Sequence, residues 1–210
     1  MPKDNEIRKA NLLIVEGNHE RDFFNAWLET LGKDSIQVMP IGGKTQLDAN
    51  LKSLTKQSNF PEISSIIIVR DADDNPTGAF QSVCNALARA GLSTPSTSLT
   101  FTQNTTPKIG IVIMPAADRN GALEELLLPL ASGDPLASEA DQYIDEAVSI
   151  LDNSGHRPPP PPHRRGKARV HAFLATFEHP DQDLGKAALA GVWNFSNNAL
   201  DPIREMIQDM

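Results

Sequence analysis

Three carboxylates stand out by where they fall in the chain. Glu16 closes the apolar run NLLIV (11–15) in LLIVEGNHERDFF, and Asp71 and Asp73 follow SIIIV (65–69) in IIIVRDADDNP. Short apolar runs bounded by charge, one of them β-branched nearly throughout, read as buried parallel strands. One acid at a strand end is commonly a turn or cap residue. An acid after one strand paired with D-x-D after another is a more specific pattern. Residues two apart in extended backbone point the same way, so Asp71 and Asp73 are expected to face one ion. Asp74 then points elsewhere and serves as a turn residue before Pro76. Like charges gathered at one edge are unfavourable unless a cation or protons neutralise them. Oxygen donors without a cysteine or histidine pair suit Mg²⁺ or Mn²⁺ and argue against a structural zinc site. Glu20 lies one helical turn after Glu16 and is placed to join the site from the same side.

The elements that must position these residues alternate strand and helix. Asn18 is the expected N-cap of a helix carrying Phe24, Trp27, Leu28 and Leu31 at helical spacing, with Gly32 as its stop. SIQVMPI (35–41) reads as a second strand, and Leu47, Leu51 and Leu54 mark a helix over 45–56. After the 65–69 strand, Phe80, Val83, Cys84 and Leu87 mark a helix closed by Gly91; IGIVIM (109–114) is the next strand and GALEELLLPLA (121–131) starts another helix. This order predicts a doubly wound α/β fold, a mostly parallel sheet of four or slightly more strands flanked by helices. Ligands of such sheets sit at the carboxyl ends of the strands, where Glu16, Asp71 and Asp73 fall.

The α/β core is expected to span 1–135, with a helical C-terminal extension over 136–210 packed on it. SEADQYIDEAVSILD (138–152) reads as an acidic amphipathic helix, while KARVHAFLATFEH and PIREMIQDM read as later helices. Five consecutive prolines at 158–162 form a stiff linker of roughly 15 Å in polyproline II. Tyr143, in the acidic helix, and the lone Cys84, in an apolar setting, read as structural.

Composition limits the partners. The chain has 210 residues, 40% of them hydrophobic, and a net charge of −8 from 19 basic and 27 acidic residues. That balance is the wrong sign for a dedicated nucleic-acid binder, so any such contact must come from a local patch, a bound metal or a partner. No apolar run is long enough to span a membrane, and MPKDNEIRKA has no apolar core of a secretory signal. With a single cysteine, the expected compartment is the reducing cytoplasm.

LLIVEGNHERDFF followed by IIIVRDADDNP resembles the Toprim domain shared by topoisomerases, DnaG-type primases, recombination proteins and OLD-family nucleases. IGIVIMPAADRNGALEELLL and KARVHAFLATFEHPDQDLGKAALAGVWNF extend the likeness to a family of small stand-alone Toprim-like proteins of uncharacterised function. The resemblance implies that Glu16 binds metal or does acid–base work, that Asp71 and Asp73 hold Mg²⁺, and that Glu20 matches a second glutamate of the nuclease branch. It also implies a further acid at Glu124 or Glu125. No topoisomerase nucleophile motif or primase zinc finger is present.

On that footing two functions compete. One is Mg²⁺- or Mn²⁺-dependent phosphodiester chemistry, most simply nucleic-acid cleavage, with Glu16 or Glu20 as proton acceptor. The other is a non-catalytic module holding Mg²⁺ with a nucleotide or a protein partner. Cleavage needs cations for the substrate phosphates. HRRGKAR (163–169) offers Arg164, Arg165, Lys167 and Arg169, with His163 and His171 flanking, and Lys167 is the candidate catalytic lysine. Lys44 in IGGKTQLDANL is a further candidate, although GGKT lacks the glycine spacing of a P-loop.

Overall fold

The computed structural model describes residues 6–210, apart from the side chain of His163; residues 1–5, part of the segment read above as lacking a signal core, lie outside it. Four strands form one parallel sheet: β1 (Asn11–Val15), β2 (Ile36–Pro40), β3 (Ser65–Asp71) and β4 (Lys108–Met114), in the order β2-β1-β3-β4. Between them run α1 (Asn18–Thr30), α2 (Leu47–Leu54) and α3 (Pro76–Arg89), and α4 (Leu123–Leu130) follows β4. The α/β architecture expected from the alternation is the one observed.

Strand side chains alternate between two apolar layers, as the pleat requires. Leu13, Val15, Ile67, Val69, Val112 and Met114 face α1, which contributes Phe23, Phe24 and Trp27. Leu12, Ile14, Ile66, Ile68, Ile111 and Ile113 face the other way, against Leu47, Leu51 and Leu54 of α2 and Val83 and Leu87 of α3. After α4 come α5 (Pro135–Ser154), α6 (Arg165–Leu174), α7 (Leu184–Leu189) and α8 (Asp201–Gln208). Val170, Phe173, Leu184, Trp193, Ile203 and Met206 from this segment share the α1-side cluster. Residues 158–161 carry the chain from α5 to α6 without helix or strand.

Two local details differ from the expectations, and one agrees. Gly17, not Asn18, is the N-cap of α1, extended at φ −145° and ψ −168°, and no side chain caps the helix. At the other end Gly32 takes φ 63° and lets Lys33 N–H reach the Leu28 carbonyl, the left-handed stop its type suggested. Strand β3 runs two residues beyond Val69, pairing Arg70 with Ile113 and Asp71 with Met114. Asp71 is therefore the last residue of a central strand, two residues past the Val69 end expected from the sequence.

Candidate functional site

Sheet order reverses between β1 and β3, since the chain builds outward to β2 on one side and to β4 on the other. The crevice at the carboxyl ends of two such strands is where α/β sheets bind ligands. Glu16 follows β1 and Asp71 ends β3, so the two meet there. Glu16 Oε1 accepts the Asp71 backbone N–H at 3.1 Å. The same oxygen takes the guanidinium of Arg70, whose side chain is 8% exposed against 16% for Glu16. Arg70 has no role in the sequence reading. The signal was present: an arginine ending a run of isoleucines and valines must find a carboxylate if the strand is buried.

Asp71 has the most unusual environment. Its Oδ1 is buried and accepts no hydrogen bond among the described residues. Burial, and then the charges of Glu16, Glu20, Glu124 and Asp73, push its carboxyl up from 3.8 to about 9. Glu20 is raised too, chiefly by burial; backbone N–H groups oppose the shift and the Glu16 charge adds to it. For Asp71 these are the conditions that keep a carboxylic acid neutral until a positive partner arrives.

Asp73 reaches the same cleft by a route the extended-strand argument did not foresee. Its backbone is left-handed, φ 51°, so the two aspartates are not i and i+2 of one strand. Aspartate tolerates this conformation better than most residues. Reciprocal bonds hold it there: Asp73 N–H to the Gly121 carbonyl at 2.8 Å and Gly121 N–H to the Asp73 carbonyl at 2.7 Å. Gly121 itself sits at φ 133°. Asp73 Oδ2 accepts from Lys44 Nζ at 2.9 Å.

Glu124 and Glu125, which the sequence left as alternatives, divide two tasks. Glu125 Oε2 accepts the Ala122 N–H at 2.8 Å and caps α4. The backbone of Gly166, at the start of α6, lies against the same carboxylate. Glu124 is buried, acts on Asp71 through its charge, and stands 3.5 Å from Lys167 Nζ. Both glutamates line the cleft; Glu124 acts on Asp71 and meets Lys167, while Glu125 also ties α6 to α4.

The cleft encloses about 550 Å³; Glu20, Asp71, Asp73, Glu124 and Glu125 line it with acids, and Lys44, Arg164 and Lys167 with cations. His19, which the sequence reading passed over, lines it as well, and so does Asp74, which had been expected to point away. Two of the proposed phosphate-binding residues are not brought there. Arg169 pairs with Asp145 at 2.6 Å and approaches Asp141, facing α5, because the helical turn rotates it away from Lys167. Arg165 directs its Nε to the Pro160 carbonyl. His171 does not line the cleft, and the side chain of His163 lies outside the described residues.

Among the described residues, no three histidine, cysteine, aspartate or glutamate side chains stand in a ready-made metal-binding arrangement. Most of these carboxylates are instead already engaged. Glu16 is held by Arg70, Asp73 by Lys44, Glu124 by Lys167 and Glu125 by backbone N–H groups. The donor set nonetheless fits a hard divalent cation: every carboxylate in it is an oxygen ligand, and Asp71 Oδ1 is a buried acceptor without a donor.

Fold and cleft together define the class: a doubly wound α/β protein with an acidic crevice at its topological switch point. The chain belongs to the family described as "Protein of unknown function (DUF3226)", whose model matches residues 10–210. No curated protein matches it. Among solved structures it is similar to the C-terminal region of the Xanthomonas campestris pv. campestris OLD protein, at 18% identity over 97% of this chain and 98% of that one, with a TM-score of 0.43. The C-terminal region of the Burkholderia pseudomallei OLD protein gives 15% identity over 96% and 100% of the two chains and a TM-score of 0.46. A hypothetical protein from Pyrococcus horikoshii OT3 gives 17%, 95% and 100%, with a TM-score of 0.49. No helix among the described residues is long and apolar enough to cross a membrane.

Proposed function

We propose that the cleft binds Mg²⁺ or Mn²⁺ and hydrolyses phosphodiester bonds of nucleic acid. The observation that carries this reading is Asp71: a buried, unpartnered carboxyl oxygen at the switch point, surrounded by Glu16, Glu20, Asp73 and Glu124. Structural needs alone do not account for five acids converging on one strand end. The Toprim resemblance of the motifs around Glu16 and Asp71 points the same way.

Asp71, Asp73 and Glu124 are the residues to hold the ion, with Glu20 at its edge. A divalent ion bound there supplies charge neutralisation for the phosphoryl group and acidifies a ligated water. The chain's own groups do the rest. Arg70 keeps Glu16 fixed beneath Asp71, so Glu16 serves to position the strand end while its charge is already matched. Glu20, raised by burial, is the group to accept the proton of the attacking water. Lys44, Arg164 and Lys167 line the cleft where the oxygens of a phosphate would lie, and Lys167 would meet charge developing in the transition state.

Calorimetric titration with Mg²⁺ and Mn²⁺, followed by incubation with labelled DNA and RNA, tests the proposal. Saturable binding lost in Asp71→Ala, together with metal-dependent cleavage lost in the same variant, is the expected result. The absence of saturable binding would remove the reading altogether. A second function is favoured by the net charge of −8 and by the lysines already seated on Asp73 and Glu124. In it the cleft is a non-catalytic module that holds the metal with a nucleotide. Metal-dependent binding without product would select it.

A further inference from the structure

The cations that meet the carboxylates of the cleft fall into two kinds. Arg70 is buried to 8% exposure, sits in a strand and shares Glu16 with a backbone N–H. Breaking that pair would strand a charge in the interior, so it is permanent. Lys44 on Asp73 and Lys167 on Glu124 are 59% and 62% exposed, each making a single contact. Exposed pairs of this sort hold their partners only weakly, and lysine is a compact charge on a flexible stem without the bidentate fork of arginine.

Both lysines are tethered at the backbone and only weakly held at the tip. Lys44 follows Gly42 and Gly43, at φ 76° and 97°, and the Gly43 N–H bonds the Glu16 carbonyl at 2.8 Å, pinning that loop to the end of β1. Lys167 is in the first turn of α6, where Gly166 lies against Glu125. Each ammonium can therefore leave its carboxylate while staying within the cleft.

We infer that Lys44 and Lys167 are exchangeable counter-ions: each neutralises a cleft carboxylate until a divalent cation takes that carboxylate, and the displaced ammonium then binds the phosphate oxygens of the substrate. The inference rests on the metal-binding reading above and adds to it a coupling between two ligands. Metal binding frees the lysines for phosphate, and phosphate draws the lysines off the carboxylates. By linkage each ligand strengthens the other by the same factor. The exchange also explains why the acids do not form a ready-made cage in the absence of an ion.

The test turns on sign. In calorimetric titrations with Mn²⁺ alone, Lys44→Ala and Lys167→Ala should each bind the ion more tightly than the unmodified protein, by about threefold to tenfold, because a competing cation a few ångströms away is gone. In the presence of Mn²⁺, the same variants should bind a short single-stranded DNA oligonucleotide about tenfold more weakly by fluorescence anisotropy. Lys44→Arg, which keeps the charge, should restore most of the oligonucleotide binding. Lys52→Ala is the control: Lys52 pairs with Asp48 across one turn of α2, outside the cleft, so the same charge change there should leave both affinities unaltered. Both cleft lysines are exposed, and matching melting curves would confirm intact folding. Mn²⁺ affinity unchanged or weakened in both variants overturns the exchange while leaving the metal site standing. Failure of the unmodified protein to bind the oligonucleotide with Mn²⁺ present also overturns it. Failure to bind Mn²⁺ at all removes the exchange and the proposed function together.

Discussion

Asp71 is a protonated acid at neutral pH for as long as nothing positive joins it, because burial and four neighbouring carboxylates push its carboxyl to about 9. The unfolded chain releases that proton near 3.8, so between the two values the folded state holds a proton that the unfolded state does not. The contribution of this group to stability is fully present below 3.8 and is lost as pH rises towards and through 9. In metal-free buffer, Asp71→Asn should therefore melt higher than the unmodified protein at pH 8, by several degrees, with a smaller difference at pH 5. Saturating Mn²⁺ should raise the melting temperature of the unmodified protein only, since ligand at one hundred times its dissociation constant adds about 2.7 kcal/mol. Equal melting of the two at pH 8 would show that Asp71 is not strained by its surroundings. The Arg70–Glu16 pair makes the opposite kind of case. Arg70→Met alone leaves Glu16 half-buried without its cation and should be destabilising by about 3–5 kcal/mol. Combined with Glu16→Gln, much of that loss should be recovered in urea unfolding. Strict additivity would mean that the two side chains do not depend on each other.

At the level of elements, the cleft is an assembly of helix starts and strand ends held by small residues. A Cβ on Gly166 would run into the Glu125 carboxylate, which is itself committed to capping α4. Gly166→Ala should force Glu125 off one of its two duties, at about 1–2 kcal/mol in chemical denaturation, the usual worth of a lost cap. It should also move α6 and weaken the contribution of Lys167 to oligonucleotide binding. Stability unchanged in that variant would place the α4–α6 contact outside the structural support of the cleft. The strands, the run of prolines and every helix but the short α7 were legible beforehand because periodicity and backbone chemistry act locally. The left-handed Asp73 was not: it depends on the bridge to Gly121, almost fifty positions later in the chain. Nor was the separation of Arg169 from Lys167, which the pitch of α6 and the acids of α5 impose together.

For the whole molecule, a net charge of −8 sets the terms on which any polyanion is met. Among the described residues, three cations line the cleft: Lys44, Arg164 and Lys167. Each phosphate contact to a single strand contributes about −0.7 to the slope of log affinity against log salt. A single-stranded oligonucleotide bound through this cleft in constant Mn²⁺ should give a slope near −2. A much steeper slope would require a basic surface beyond the cleft. The sequence by itself determined the alternation of elements, the parallel α/β class and the acidic character of two strand ends, since all of these follow from side-chain type and short-range spacing. Only the tertiary structure decided which acids are free. The pairing of Glu16 with Arg70, the charge of Glu124 acting on Asp71, and the seating of Lys44 on Asp73 join segments far apart in the chain. Electrostatic partnership depends on distance and burial in space, and neither is written in the order of the residues.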